Sequence, residues 1–192
     1  VSSRLERDYF EALYAAREDP WDFETSGYEA AKYEATVAAL GDRRYGRALE
    51  AGCSIGVLTE MLAARCDALE AVDVSERAVA RARARLAGAP RVRVERRTLP
   101  EELPKGPFDL IVCSEVLYYW SRALLLAALP PLVAALAPGG SLLAVHWRPE
   151  TRTYPLLGDE VHDLLAERLG RLDHAVSRTE REYRLDRWDV PG

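Results

Sequence analysis

Between Leu49 and Asp73 the chain reads as a strand, a glycine turn, a helix and a second strand ending in a carboxylate, and few folds accommodate that order. Leu49-Glu50-Ala51-Gly52-Cys53-Ser54-Ile55-Gly56 supplies the first strand and the turn. Asp73 closes Leu69-Glu70-Ala71-Val72-Asp73, 21 residues after Gly52. In α/β proteins this order builds a cradle for a ribose-bearing ligand: glycines let the backbone turn tightly and approach the ligand, and an acid about 20 residues on takes the ribose hydroxyls. A glycine turn of this kind also occurs in unrelated α/β proteins, so the loop alone leaves the ligand open.

Two residues in the loop argue against a dinucleotide. The pyrophosphate fingerprint places a second glycine two residues after the first, and here that position is Ser54. Glu50, two residues before Gly52, puts a carboxylate where a pyrophosphate would lie. The same charge attracts, directly or through water, a ligand carrying an ammonium and a sulfonium, as S-adenosylmethionine does.

At 192 residues the chain is expected to form a single domain, with a helical cap over residues 1–40 and an α/β core over 41–192. A net charge of −5 gives no general pull toward nucleic acid or an anionic membrane. Arginines do cluster at Arg77, Arg81, Arg83, Arg85, Arg91, Arg93, Arg96 and Arg97. Such a cluster is either a phosphate footprint or, more ordinarily, a solvated face. Cys53, Cys66 and Cys113 lack paired metal-ligand spacing and read as reduced interior thiols, which leads us to expect a cytoplasmic setting and no metal. Arg4-Leu5-Glu6-Arg7-Asp8 leads into no uninterrupted apolar stretch, so neither a signal peptide nor a membrane span is expected.

Leu5, Tyr9, Leu13 and Tyr14 predict a helix over residues 4–18, stopped by Asp19-Pro20-Trp21, and a second helix follows over Gly27 to Leu40. Then comes the alternation of strand and helix that marks a parallel sheet. Strand one is Arg47 to Ala51, and its helix is expected to bury Val57, Leu58, Met61, Leu62 and Cys66 while exposing Glu60 and Arg65. After strand two, Ser75 caps a helix with Ala78, Val79, Ala82 and Leu86 inward, ended by Gly88. Strand three, Arg91 to Glu95, alternates charge and valine as an edge strand does. The apolar runs Phe108 to Cys113 and Leu142 to Val145 belong in the sheet's centre. Ala123 to Leu136 is predicted helical, with Pro138-Gly139-Gly140 as the return turn, and Gly158 to Leu169 as another helix. Leu172 to Ser177 and Glu182 to Val190 read as two strands able to pair antiparallel.

These residues resemble a class I S-adenosylmethionine-dependent methyltransferase. A closer similarity is to the nodulation N-methyltransferase (NodS) family and its actinobacterial relatives. It rests on Asp19-Pro20-Trp21, Tyr28-Glu29 with Lys32-Tyr33, the loop Glu50 to Gly56, Ser114-Glu115-Val116-Leu117-Tyr118-Tyr119, and His146-Trp147-Arg148. The stretch Tyr154-Pro155-Leu156-Leu157-Gly158-Asp159-Glu160-Val161-His162 departs from the nodulation enzyme. The resemblance implies a Rossmann-like, mostly parallel α/β sheet of seven strands, order 3-2-1-4-5-7-6, with its last strand antiparallel. Helices would cover both faces, and the N-terminal helices would form a lid. It implies S-adenosylmethionine as cofactor and a small-molecule acceptor: an amino sugar, as for the family's named member, or an oligosaccharide or natural product.

By position, the resemblance implies that Glu50, Gly52, Cys53, Ser54 and Gly56 surround the methionine end of the cofactor, with Asp73 and Val74 at the ribose. Thr98 and Leu99 fall where this fold contacts adenine, the plainer alternative being an ordinary loop before Pro100, and Ser114 falls beside the methionine moiety. Glu115 and His146, each ending a central strand, are the candidate catalytic residues; the alternatives are a Glu115 that holds the cofactor's ammonium and a His146 that is merely hydrogen-bonded at a strand end. Tyr118, Tyr119, Trp147, Arg148 and His162 are candidates for acceptor binding. Tyr118, Tyr119 and Trp120 read either as an aromatic wall for a sugar or ammonium or as core. His162 with Asp159 reads either as a functional pair or as an ordinary i,i+3 contact on a helix, and His174 carries little functional weight. Trp21, Tyr28 and Tyr33 read as a lid or as packing of two amphipathic helices.

N-methylation of an amino sugar or similar small polar amine is the first expectation. O-methylation of a hydroxyl is the runner-up, and a non-catalytic nucleotide-binding module or an NAD-dependent enzyme stands as a reading from a different class.

Overall fold

The computed structural model describes residues 3–192, which divide into two compact units: Glu6–Glu102, and Leu103–Gly192 joined by residues 3–5. The N-terminal unit holds α1 (Arg7–Ala16), α2 (Gly27–Ala38), β1 (Tyr45–Ala51), α3 (Val57–Ala63), β2 (Cys66–Asp73), α4 (Glu76–Arg85) and β3 (Val92–Arg96). The C-terminal unit holds β4 (Phe108–Ser114), a 3₁₀ turn (Leu117–Tyr119), α5 (Arg122–Ala134), β5 (Leu136–Trp147), α6 (Gly158–Arg168), β6 (Asp173–Thr179) and β7 (Tyr183–Asp189). The strands form one seven-stranded sheet of order β3-β2-β1-β4-β5-β7-β6.

In the N-terminal unit the three strands are parallel, with Glu50 opposite Ala71 and Asp73 opposite Arg96. Ser75 caps α4 by accepting the Ala78 amide, and Ala78, Val79 and Ala82 point inward at 0% exposure, as the helical spacing predicts. Cys66 does not lie on the apolar face of α3. That helix is short, and Cys66 opens β2, pairing with Tyr45 in a register that also starts β1 two residues earlier than predicted. Arg65 is half-buried rather than exposed, because its guanidinium reaches back to the carbonyls of Gly41 and Arg43.

In the C-terminal unit β4 buries Phe108, Leu110, Ile111, Val112 and Cys113 completely, as a strand covered on both faces must. Pro138-Gly139-Gly140 is not a return turn but part of a long β5. Its pairing with β4 jumps from Phe108–Leu136 to Leu110–Ser141, so the extra residues are absorbed as a bulge. β7 runs antiparallel to both β5 and β6, and β6 is the exposed edge.

Candidate active site

Two groups of residues carry chemistry, one in each unit. In the N-terminal unit the loop after β1 is held by its backbone. The amides of Gly52 and Cys53 both donate to the Val72 carbonyl (2.8 and 2.9 Å), and the Gly56 amide closes the turn on the Cys53 carbonyl. Gly56 has φ +83°, and a Cβ there would come within 3.1 Å of the Ala82 methyl, so this position requires glycine for both conformation and closeness to α4. Ser54 also sits at positive φ, +50°, without being glycine. Two contacts hold it there: its amide donates to Asp73 Oδ2 (2.9 Å), and its hydroxyl meets the Tyr14 hydroxyl at 2.5 Å.

Asp73 therefore organises the loop as well as facing it. Its other oxygen accepts the Ser75 amide at 2.9 Å, and backbone bonds from Ser75, Ser54 and Val74 offset part of the upward push that burial gives its carboxyl. Cys53 packs into the cluster of Ala71, Val79, Ala82, Leu86 and Val94, and burial drives its thiol well up. Glu50 is 1% exposed. Burial raises its carboxyl to about 8, with the Thr59 hydroxyl acting against the rise and the Asp73 charge adding to it. One of its oxygens, Oε2, is buried without a hydrogen-bond partner. An orphaned buried acceptor of this kind fits a ligand that brings N–H donors and positive charge, and does not fit a phosphate.

Thr98 and Leu99 lie in a turn that Glu102 closes: its carboxylate accepts the Thr98 amide at 2.5 Å, and the Glu102 amide donates to the Thr98 carbonyl at 2.8 Å. Leu99 is buried. The arginine cluster is engaged throughout. Arg77 meets Glu11, Arg81 meets Glu18, Arg85 meets Glu24 and the Ile55 carbonyl, Arg83 meets the Val94 carbonyl, Arg91 meets Asp67, Arg93 and Arg97 share Glu95, and Arg96 meets Glu102. Trp21, Phe23 and Tyr33 continue a run of rings from Tyr14, with centroids 5.5 to 6.2 Å apart.

In the C-terminal unit Ser114 is the buried last residue of β4. The half-buried Glu115 follows at φ +56°. Its Oε2 accepts both the Tyr118 hydroxyl (2.5 Å) and the Trp147 amide (2.9 Å). Tyr118, Tyr119 and Tyr154 pack as a three-ring cluster with centroids 4.7 to 4.9 Å apart, and burial first, then the Glu115 charge, raises the Tyr118 hydroxyl well above its ordinary range.

His146 and His162 are both 0% exposed. His146 Nε2 accepts the Leu117 amide at 3.1 Å, and its Nδ1 meets His162 Nε2 at 3.1 Å. His162 Nδ1 meets Asp186 Oδ2 at 2.6 Å, and His174 Nε2 meets Asp186 Oδ1 at 2.8 Å. A base that takes a substrate proton needs an accessible lone pair, so a fully buried His146 with both nitrogens engaged can orient but not abstract. His162 is likewise not paired with Asp159 on the helix surface. Asp159 instead takes Arg148 bidentately (2.8 and 3.0 Å), which commits Arg148 to the protein rather than to a ligand and holds the Asp159 carboxyl low. Tyr14, Glu102, Tyr154 and Asp186 were not singled out from the sequence. Among them only Tyr14 carried a signal, its place on the apolar stripe of α1.

Among the described residues no group of His, Cys, Asp and Glu is arranged to hold a metal, and no helix is long and apolar enough to cross a membrane.

Comparison with known proteins bears on the family and the fold. The family model of nodulation protein S matches residues 5–178. Nodulation protein S of Sinorhizobium fredii is 35% identical over 130 residues, 67% of this chain and 60% of that protein. The Bradyrhizobium diazoefficiens protein of the same name is 37% identical over 130 residues, 67% and 62% of the two chains. The match thus spans about three-fifths of the length of these relatives. The crystal structure of the N-methyltransferase NodS from Bradyrhizobium japonicum with S-adenosylhomocysteine superposes with a TM-score of 0.85 at 26% identity, covering 97% of this chain and 100% of that one. A Pseudomonas syringae protein of known structure is 43% identical, with a TM-score of 0.76, over 85% of this chain and 99% of that one. With the family model matched from residue 5, ahead of α1, to residue 178, in β6, this chain belongs to the nodulation protein S (NodS) family.

Proposed function

We propose that this chain transfers a methyl group from S-adenosylmethionine to the nitrogen of a small polar amine, an amino sugar being the first candidate. The observation that carries the cofactor half of this reading is Glu50: a buried carboxyl with a partnerless oxygen beside a backbone-held loop suits a cationic amino-acid ligand. Glu50 would hold the ligand's ammonium, the loop from Gly52 to Gly56 its methionine end, and Asp73 the ribose hydroxyls through the oxygen lone pairs that its amide bonds leave over. Val74, Thr98 and Leu99 would flank the nucleoside, and Ser114 the methionine. S-adenosylmethionine supplies an activated methyl on a sulfonium, so the protein need not provide a strong electrophile.

What this chain's residues must do is bind the acceptor's nitrogen, present its lone pair and keep water away. Glu115 is the group suited to it, a half-buried carboxylate whose direction is set by the Tyr118 hydroxyl and the Trp147 amide. It accepts an N–H of the amine, and the rings of Tyr118 and Tyr119 wall off the approach. His146 serves as orienter rather than base, and Arg148 supports the chain by its pair with Asp159. Binding at a carboxylate favours an amine over a neutral hydroxyl, which is the reason to place N-methylation before O-methylation.

The test is to incubate the protein and S-adenosylmethionine with paired acceptors, glucosamine and deacetylated chitin oligosaccharides against their N-acetylated forms, and to read the mass. A gain of one methyl confined to the free amines is expected. Methylation of both members of each pair would move the transfer to oxygen.

A further inference from the structure

We infer that His162 and Asp186 are positioning residues for the acceptor side, the far links of a buried chain that fixes the turn carrying Tyr118 only while its imidazoles are neutral. The inference rests on the reading of Glu115 and Tyr118 as the acceptor-handling pair.

Hydrogen-bond parity dictates the chain's direction. The Leu117 amide can only donate, so His146 Nε2, 3.1 Å away, must be the lone pair and Nδ1 must carry the proton. That proton points at His162 Nε2, which must accept it, so His162 also carries its proton on Nδ1 and donates to Asp186. Asp186, 0% exposed, is fixed by Arg184 at 3.0 Å and by His174, whose ring stacks on Trp188. The chain starts at a backbone amide, which cannot take up a proton, so it transmits orientation rather than protons. At its head it pins the first residue of the 3₁₀ turn, and the His146 ring packs edge-on against Tyr118 at 5.1 Å.

The fold is shaped to admit this chain. Gly158 opens α6 against the end of β5, where a Cβ would lie 2.1 Å from the Trp147 carbonyl oxygen, and His162 follows one helical turn later on the same face. Only a glycine lets the helix come close enough for its histidine to reach His146.

A proton added to either imidazole breaks the pattern. Protonated His162 presents Nε2–H to the Nδ1–H of His146. If His146 switches tautomer to accept it, Nε2–H then faces the Leu117 amide. The conflict moves along the chain but cannot leave it. The charged and titratable groups around His162 are Asp186 and Arg184 on β7, Asp159 on its own helix and His146 on β5. Around His146 they are Tyr118 and His162. Burial is the largest influence on His162 and holds its pKa below the ordinary value, so the neutral chain persists into mildly acid solution.

The test uses the full chain and two readouts. Long-range proton–nitrogen NMR of the imidazoles at pH 7.5 should show His146 and His162 as Nδ1–H tautomers, the minor form of free histidine in water. A signature of Nε2–H at either residue overturns the chain, whether or not the protein methylates amines. In turnover, His162→Leu should lower kcat roughly 10- to 100-fold, the scale of a misplaced reacting group, with S-adenosylhomocysteine affinity within about twofold of wild type. His162→Gln keeps one acceptor and one donor without a titrating group. It should recover most of kcat and carry its acid limb to lower pH. A glutamine variant as impaired as leucine, or an acid limb unmoved, makes His162 mere packing. Should the leucine variant fail to fold, the tautomers and the glutamine pH profile still decide.

Discussion

Between Glu50 and Gly56 the chain is shaped chiefly by backbone bonds, with amides donating to Val72 and Cys53, and its side-chain anchors are Asp73, 19 residues from Ser54, the Tyr14 hydroxyl on Ser54 and Arg85 on the Ile55 carbonyl. In the C-terminal unit nothing comparable is local. Leu117 is fixed by His146, 29 residues on, His146 by His162, 16 on, and His162 by Asp186, a further 24 on. The first region lies beside the Glu50 carboxyl and the second beside Glu115, and they fail differently. The loop is insensitive to side-chain titration except at its own acids, whereas the histidine chain depends on a donor and acceptor order that one proton inverts.

The largest effect that can test this contrast lies at Glu50. With its pKa raised from the ordinary carboxylate value to about 8, the folded protein holds a proton there that the unfolded chain releases. Stability is therefore greatest below the unfolded value and falls as pH rises through 8. At roughly 1.4 kcal/mol per pH unit, the loss is up to about 5 kcal/mol. Urea unfolding at pH 5, 7 and 9 should show that loss in the ligand-free protein and not in Glu50→Gln. A cation bound beside Glu50 reverses the preference, so S-adenosylhomocysteine should bind with release of about one proton at pH 7, seen as a buffer-dependent heat. A heat independent of buffer would leave Glu50 protonated and take it out of cofactor binding.

Next in size is Asp73→Ala, which removes the acceptor for the Ser54 and Ser75 amides and the proposed ribose contact together. S-adenosylhomocysteine binding should weaken by about 1.5 to 3 kcal/mol, the scale of hydrogen bonds to a charged group. Isothermal calorimetry gives the number. Set beside His162→Leu, which should leave that affinity in place, it separates the two regions; equal losses in both variants would merge them into one cooperative site.

Gly158→Ala probes the other region from its backbone side. The new methyl would meet the Trp147 carbonyl at 2.1 Å, so α6 must move, at a cost of about 1 to 3 kcal/mol in stability. Thermal melting should register that loss, and the His162 tautomer signature should broaden or switch. A variant with wild-type melting and unchanged histidine tautomers would show that β5 and α6 tolerate a wider spacing.

The same contrast explains what was legible in the sequence. The loop, its acid and the alternation of strands could be read because each is a local pattern: spacing for Gly52, Ser54 and Asp73, apolar runs for β4 and the end of β5. The strand order and its antiparallel last strand came from the family resemblance and match the sheet. Cys66 and Pro138-Gly139-Gly140 were misassigned because register with a neighbouring strand decides where β2 and β5 begin, and no local window contains the neighbour. His146 stands out as a catalytic candidate or a hydrogen-bonded histidine at a strand end, the second of which the structure shows, and His162 as an acceptor-binding candidate or one half of a helix-surface pair with Asp159, but their pairing with each other is not legible. Their union depends on Asp186, in a strand that alternates charge as an ordinary exposed strand does, and on the close approach at Gly158.

The smallest expected effect lies at the join of α1 to the loop. Tyr14, 5% exposed, shares a hydrogen bond with the Ser54 hydroxyl at 2.5 Å, and burial, reinforced by the Asp73 charge, pushes the Tyr14 hydroxyl well above its ordinary range, so it stays protonated through all working pH. Ser54 keeps its positive φ with two contacts, and the amide bond to Asp73 is the charge-assisted and stronger one. Tyr14→Phe removes only the weaker contact and keeps the ring against Trp21 at 5.7 Å. Stability should fall by about 0.5 to 1.5 kcal/mol, the net worth of one neutral hydrogen bond, and S-adenosylhomocysteine affinity should change by less than Asp73→Ala changes it. Denaturant unfolding and calorimetry on the one variant measure both. If affinity falls as far as in Asp73→Ala, the loop is held by the helix that precedes it as much as by its own backbone, and the distinction between a locally built region and a distantly built one narrows to the histidine chain alone.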